Sequence, residues 1–174
     1  MGEAPDRLTL ERHRDLEGRW APWPRRVILT AIAVFALLAL ANVFGQRPAT
    51  AVARTARADL TLYSPSRLRG GLLFSTRFHI TAHTELKDAT LVLEPGWAEG
   101  MAINTLEPSP LGEASRNGKL TFDLGHIPAG GTYILFMQEQ VNATNIAWRR
   151  PASVELDDGD SPVARIHHTF TIYP

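Results

Sequence analysis

Eighteen residues from Val27 to Phe44, VILTAIAVFALLALANVF, carry no charge, and only Thr30 and Asn42 among them are polar. As a helix this run extends roughly 27 Å, close to the ~30 Å hydrocarbon core of a bilayer. Arg25 and Arg26 abut it on one side behind Trp20 and Trp23, and Arg47 follows on the other. Amphipathic aromatic rings and arginines at one end of an apolar helix are the anchors of a membrane span. The run is apolar on every side, and the strand-like remainder of the chain has nothing to bury it, which argues against a soluble core helix. Residues 27–44 are therefore expected to contact the lipid bilayer. They divide the chain into a polar tail (1–24), a transmembrane helix (25–45), a tether (46–58) and a folded domain (59–174).

Orientation follows from the arginines. The 20 residues before Val27 hold Arg7, Arg12, Arg14, Arg19, Arg25 and Arg26, whereas the 20 after Phe44 hold only Arg47, Arg54 and Arg57. Excess positive charge stays on the cytoplasmic side, so the N-terminus is expected inside and the domain outside the cytoplasm. A cleaved signal peptide is the rival reading, with small-residue sites at Ala39-Leu40-Ala41 and Ala49-Thr50-Ala51. Such peptides have an apolar core of about 7–15 residues after a short basic segment. Here the core is longer and 26 residues precede it, which favours an uncleaved signal anchor.

Cysteine is absent from all 174 residues, which removes thiol catalysis, Cys-ligated zinc and disulfide exchange together. An exported domain without disulfides must be held by its own core, and 59–174 is long enough for one. Lys87 and Lys119 are the only lysines beside 16 arginines, an association of GC-rich bacterial genomes. The tail has six arginines against five carboxylates, and the remainder 12 basic against 13 acidic residues, so no charge excess points to nucleic acid.

The tail is dense in alternating charge, with opposite signs three or four apart over Thr9–Glu17 but too few apolar residues for a packed face. Pro22 and Pro24 are expected to separate it from the membrane helix. Gly45–Ala58 is small, polar and turn-prone, hence the tether. From Asp59 the period changes to two. Leu60 to Tyr63 alternates; Phe74, Thr76, Phe78, Ile80 and Ala82 share one face of Leu72–Ala82; Ala89, Leu91 and Leu93 repeat the pattern. Met101–Leu106 reads as a short strand, Leu120, Phe122 and Leu124 alternate, and Tyr133–Met137 is apolar on both faces, as a central strand is. Val154 and Leu156 lead through Asp157-Asp158-Gly159-Asp160 into Ile166, His168, Phe170 and Ile172. Seven or eight such strands between turn signals predict an all-β domain, an immunoglobulin-like antiparallel β-sandwich after one transmembrane α-helix.

Leu124-Gly125-His126-Ile127-Pro128-Ala129-Gly130-Gly131-Thr132 resembles the leucine-glycine to proline-alanine-glycine turn of bacterial immunoglobulin-like repeats of the adhesion and cell-surface type. Val154–Gly159 is similar to their final strand pair. The resemblance implies a two-sheet fold with that turn linking strands across the sheet ends, and it carries no site residues over. The cysteine pair of antibody-type domains is missing, and Trp97 and Trp148 fall at expected loop positions.

Candidate chemistry is sparse. His79 and His83 share a strand face but would stand about 13 Å apart, too far to share a metal ion. His167 and His168 face opposite ways, and His168 joins the apolar face, where a backbone partner or a pH-sensing role are the two readings. Asp157, Asp158 and Asp160 lack the D-x-D-x-D-G calcium pattern and read as a hairpin turn. Asn142-Ala143-Thr144 is a glycosylation sequon only in a eukaryotic secretory route. There is no G-x-S-x-G elbow, and no helix start follows Gly70-Gly71 or Gly130-Gly131, so neither nucleophilic catalysis nor phosphate binding is indicated. No enzyme activity, metal or cofactor is expected.

Trp148-Arg149-Arg150 is the strongest interaction candidate, an indole beside two guanidinium groups in an expected surface loop. Two other readings stand: Trp148 plugs the sandwich end with the arginines solvated, or the trio faces lipid headgroups. The expectation drawn is a membrane-anchored extracytoplasmic module that binds another membrane or envelope protein. The alternative is a structural envelope component that binds cell-wall polymer or lipid. Oligomeric state is not legible.

Overall fold

The computed structural model describes residues 22–43 and 46–174. The tail expectation, including Trp20 and the Thr9–Glu17 segment, lies outside the described residues. The described residues form two units, divided after Val43.

The first unit is the helix α1, Pro22–Leu40, long and apolar enough to cross a membrane by length and composition, with none of its side chains buried. Its 19 residues rise about 28 Å. Pro22 and Pro24 lie inside its first turn rather than before it, where the missing N–H groups cost no hydrogen bond. Trp23 is exposed, as are Arg25 and Arg26. The helix stops earlier than the sequence suggests. Asn42 turns left-handed (φ 54°), the Asn42 N–H donates to Ala39 and the Val43 N–H to Leu38, closing the carbonyl end in a Schellman motif.

The second unit is a β-sandwich. Its first sheet has the order β1 (Pro48–Arg54), β2 (Ala58–Pro65), β4 (Leu73–Ala82), β9 (Thr132–Val141), β6 (Met101–Glu107), with β3 being Arg67–Arg69. The second sheet runs β12 (Ser161–Ile166), β11 (Val154–Asp158), β5 (Leu86–Leu93), β8 (Lys119–Ile127), β7 (Gly112–Arg116). A small sheet joins β10 (Ala147–Pro151), β13 (Thr169–Tyr173) and β3; its β13–β3 pair is parallel and every other pair among the described residues antiparallel.

Alternation builds the core. Leu60, Leu62, Phe78, Ile80, Leu135 and Met137 point in from the first sheet and meet Leu91, Leu93, Phe122, Leu124 and Leu156 from the second. Each such fully buried side chain contributes about 1.5–3 kcal/mol. The Leu124–Thr132 segment ends β8 and starts β9, so it does cross between the sheets at their ends.

Three expectations are corrected. Thirteen strands are present among the described residues, not seven or eight. Pro48–Arg54, assigned to the tether, is the edge strand β1, paired along its whole length from Pro48–Pro65 to Arg54–Asp59. Its inward residues are the small Ala49, Ala51 and Ala53, whose low hydrophobicity hid the period. Ile166 to Ile172 is not one strand: Ile166 pairs with Val154 in the second sheet and Phe170 with Arg150 in the small one.

Candidate interaction surfaces

The end of the sandwich at which β1 begins is closed by an aromatic plug. Pro95–Trp97 forms a 3-10 turn that lays the Trp97 indole in the core, 5.7 Å from Phe78 and 4.8 Å from Phe170. Its Nε1 donates to the Ala152 carbonyl at 2.8 Å. Gly96 makes this possible, because a Cβ there would sit 1.9 Å from the Pro151 carbonyl oxygen. Trp97 was expected in a loop, and Pro-Gly-Trp after a strand was its available signal.

With the plug supplied by Trp97, Trp148 is left outside, 76% exposed beside Ile146 at 64%. The pairing of β10 with β13 slips between Ala147 and Arg150, and Trp148 and Arg149 form that bulge. Arg149 takes a left-handed φ of 50°, a strained conformation for a residue with a Cβ. Arg150 is not displayed. Its guanidinium donates to the Glu99 carbonyl and to Asn145 Oδ1 at 2.8 Å and pairs with the Glu99 carboxylate. Asn145 Nδ2 in turn donates to the Gly100 carbonyl at 2.8 Å. So the predicted trio divides: Trp148 and Arg149 are presented on a bulge, and Arg150 fastens it down.

Charge is distributed unevenly along the sandwich. Arg47, Arg67, Arg69, Arg116, Lys119, Arg149, Arg150 and Arg165 lie on segments at the plugged end, with the carboxylates Glu94, Glu99 and Glu155 among them. Asp59, Glu85, Asp88, Asp157, Asp158 and Asp160 lie at the other end, against Arg54, Arg57 and Lys87. A nearly neutral domain is therefore a basic end joined to an acidic one.

The outer face of the first sheet is a second surface. Register aligns Tyr63, Arg77, Phe136 and Glu107 in one row across β2, β4, β9 and β6. Arg77 holds its guanidinium 4.3 Å above the Tyr63 ring and 5.9 Å from that of Phe136, a cation–π arrangement. Val52, Thr61, His79 and Ile134 form the adjacent row. Val52, Ile134 and Phe136 are all at least 38% exposed. A third surface is the open side between β6 and β7, a groove of about 270 Å³ lined by Ile103, Glu113, Ala114, Ser115, Leu120 and Phe122.

Inside the first sheet runs a buried polar chain that the alternation alone did not single out. Ser64 Oγ lies 3.1 Å from Thr76 Oγ1, which donates to Glu139 Oε2 at 3.1 Å. Since Thr76 has one hydroxyl proton, Ser64 donates to it. Glu139 Oε1 has no partner, and burial pushes this carboxyl up to about 8 while the Thr76 hydrogen bond pulls the other way.

The histidines and aspartates have local roles. His83 lies beyond β4 with Nε2 3.0 Å from Asp59 Oδ1. His168 stacks on Trp97 at 5.8 Å and bonds to the Pro65 carbonyl, its Nε2 unpartnered; burial lowers its pKa, that hydrogen bond opposing. The Asp158 carboxylate accepts the Lys87 and Asp88 N–H groups at 2.8 and 3.0 Å and pairs with Arg57, so the Asp-Gly hairpin is tied to β5. Among the described residues no three His, Asp or Glu side chains gather as metal ligands.

No protein-family model matches the sequence, and no curated protein does. Solved structures give loose likenesses. A non-cellulosomal cohesin from the hyperthermophilic archaeon Archaeoglobus fulgidus is 14% identical at TM-score 0.38, over 62% of this chain and 85% of that one. AvmM, which catalyses macrocyclization in alchivemycin A biosynthesis, is 7% identical at TM-score 0.44, over 75% and 90%. A GH20 exo-β-N-acetylglucosaminidase from Vibrio harveyi is 10% identical at TM-score 0.27, over 74% of this chain and 18% of that one. None of these bears on what the chain does.

Proposed function

We propose that this chain is a single-pass, membrane-anchored accessory module of the cell-surface immunoglobulin-like type, with its N-terminus in the cytoplasm and its sandwich outside. There it binds another membrane or envelope protein. The arginine excess before α1 supports the orientation. One observation carries the binding reading: the stretch 133–137 of β9 is apolar on both faces, and its outward Ile134 and Phe136 are exposed beside Arg77 and Tyr63. Apolar and aromatic side chains clustered on the solvated face of an antiparallel sheet, unlike single exposed ones, mark a contact surface. Aromatic residues and arginine are those most enriched at interface hot spots.

Cell-wall polymer is the competing ligand, and sugars stack on free aromatic faces. Arg77 already covers the Tyr63 ring, so the row lacks the open platform that a polysaccharide needs, and a protein partner fits it better. The test is capture of the tagged full-length protein from mild-detergent extracts of its native membrane, with Phe136→Glu alongside. A stoichiometric membrane or envelope protein, lost by about thirty-fold in the variant, is the expected result. Recovery of the chain alone overturns the accessory reading and brings polymer or lipid to the front.

A further inference from the structure

We propose that the basic, plugged end of the sandwich seats on an anionic bilayer surface, with Ile146 and Trp148 in the headgroup layer. This rests on α1 being a membrane span, and it concerns a different surface from the one assigned to the protein partner.

Chain length limits how far the start of the sandwich can lie from the end of the apolar run in sequence. Only Phe44 and Gly45 separate Val43 from Gln46, a stretch of at most about 11 Å. Gln46 is fastened at once, its Nε2 donating to the Leu73 carbonyl at 3.0 Å. Leu72 accepts the Val141 N–H, and the Gly71 N–H donates to Val141, so the loops after β3 and β9 are tied to each other beside that point. The next residues of the second loop carry Asn145, Ile146 and Trp148. The tether expected over 46–58 is shortened, because β1 already begins at Pro48.

Chemistry then selects the occupant. Eight basic side chains stand there against Glu94, Glu99 and Glu155, with Arg150 and Arg165 already paired to Glu99 and Glu94, and the remaining basic excess favours an anionic surface; each arginine near such a surface is worth about five-fold in binding. Indole prefers the boundary between water and hydrocarbon, with its N–H in the wet layer. Ile146 and Trp148 are among the most exposed apolar side chains of the sandwich, and the bulge that lifts Trp148 is held by Arg150 and Asn145 at the expense of strain at Arg149. A fixed projection of that kind is suited to insertion without further ordering.

The experiment uses the full chain carrying Trp20→Phe and Trp23→Phe, so that emission comes from Trp97, fully buried, and Trp148. It is reconstituted into nanodiscs of phosphatidylcholine, with and without phosphatidylglycerol, whose acyl chains are brominated near the glycerol. Trp148 emission is expected to be quenched in the phosphatidylglycerol discs, and Trp148→Phe removes the quenched component. Arg69→Gln with Arg149→Gly lowers the docked population roughly twenty-fold and abolishes quenching, as does high salt. Glycine relieves the backbone at Arg149, so this pair does not threaten the fold. Unquenched Trp148 in phosphatidylglycerol discs overturns the proposal, as does quenching that survives loss of both arginines. Flotation after alkaline wash separates the two readings. A chain that floats with Trp148 unquenched refutes docking alone, and one that fails to float refutes the anchor and the docking with it.

Discussion

Glu139 makes the stability of the sandwich depend on pH in a direction opposite to that of most carboxylates. Its folded pKa is raised from 4.5 to about 8, chiefly by burial. Below 4.5 both the folded and unfolded chains hold the proton, and this group costs nothing. As pH rises past 4.5 the unfolded chain releases it while the folded chain keeps it, so stability is lost until the folded carboxyl also ionises near pH 8. At 1.36 kcal/mol per pKa unit, the loss is about 3 kcal/mol at pH 7 and on the order of 4–5 kcal/mol once complete. Glu139→Gln removes the titration. The glutamine oxygen still accepts from Thr76, and its NH₂ falls where Oε1 has no partner, at a cost of about 1–3 kcal/mol. The variant is therefore less stable than the parent near pH 5 and more stable near pH 8.5. Urea unfolding of the detergent-solubilised chain, followed by near-ultraviolet circular dichroism, measures both. A difference between the two proteins that stays constant across that range refutes the buried-carboxyl argument.

Trp97→Ala removes the plug and its hydrogen bond to Ala152, and is expected to cost about 3–5 kcal/mol in the same unfolding measurement, whereas Trp148→Ala stays within about 0.5 kcal/mol. A chain starting at Asp59 lacks β1, uncovers the edge of β2 and is expected to aggregate, while one starting at Gln46 stays monomeric by size-exclusion chromatography. Asp158→Ala frees the Lys87 and Asp88 N–H groups. It lowers unfolding free energy by about 1–3 kcal/mol, and the parent loses the same contribution as pH falls below 3.8, because the Asp88 hydrogen bond first and Arg57 next hold this carboxylate low.

Strands with large inward residues were legible in the sequence, because alternation is strong where the buried residues are Leu, Phe and Ile. β4 and β8 are such cases, with Phe74, Phe78 and Ile80 or Phe122 and Leu124 inside. β1 was not legible, since alanine contributes little to a hydrophobic period, and β7 was not, since every residue of Glu113–Arg116 is exposed and its order comes from pairing with β8. The break between β12 and β13 is hidden for a different reason. Ile166, His168, Phe170 and Ile172 keep their period of two while the chain passes from one sheet to another, so the pattern reports burial but not the partner strand.

The two tryptophans show the same limit at the level of the site. Each stands within three residues of a proline, Pro95 or Pro151, and composition cannot say which one enters the core. The decision belongs to Gly96, whose missing Cβ lets the 3-10 turn press against Pro151 and deliver Trp97 inward. Once Trp97 fills that space, β10 cannot bury Trp148, and the slip against β13 turns it outward. Charge obeys the same logic. Basic residues at Arg47, Arg69, Arg116 and Arg149 are scattered through a sequence of zero net charge, and only the antiparallel turns gather them at one end. The surfaces on which a partner or a membrane can act are thus products of topology, assembled from residues that individually look ordinary.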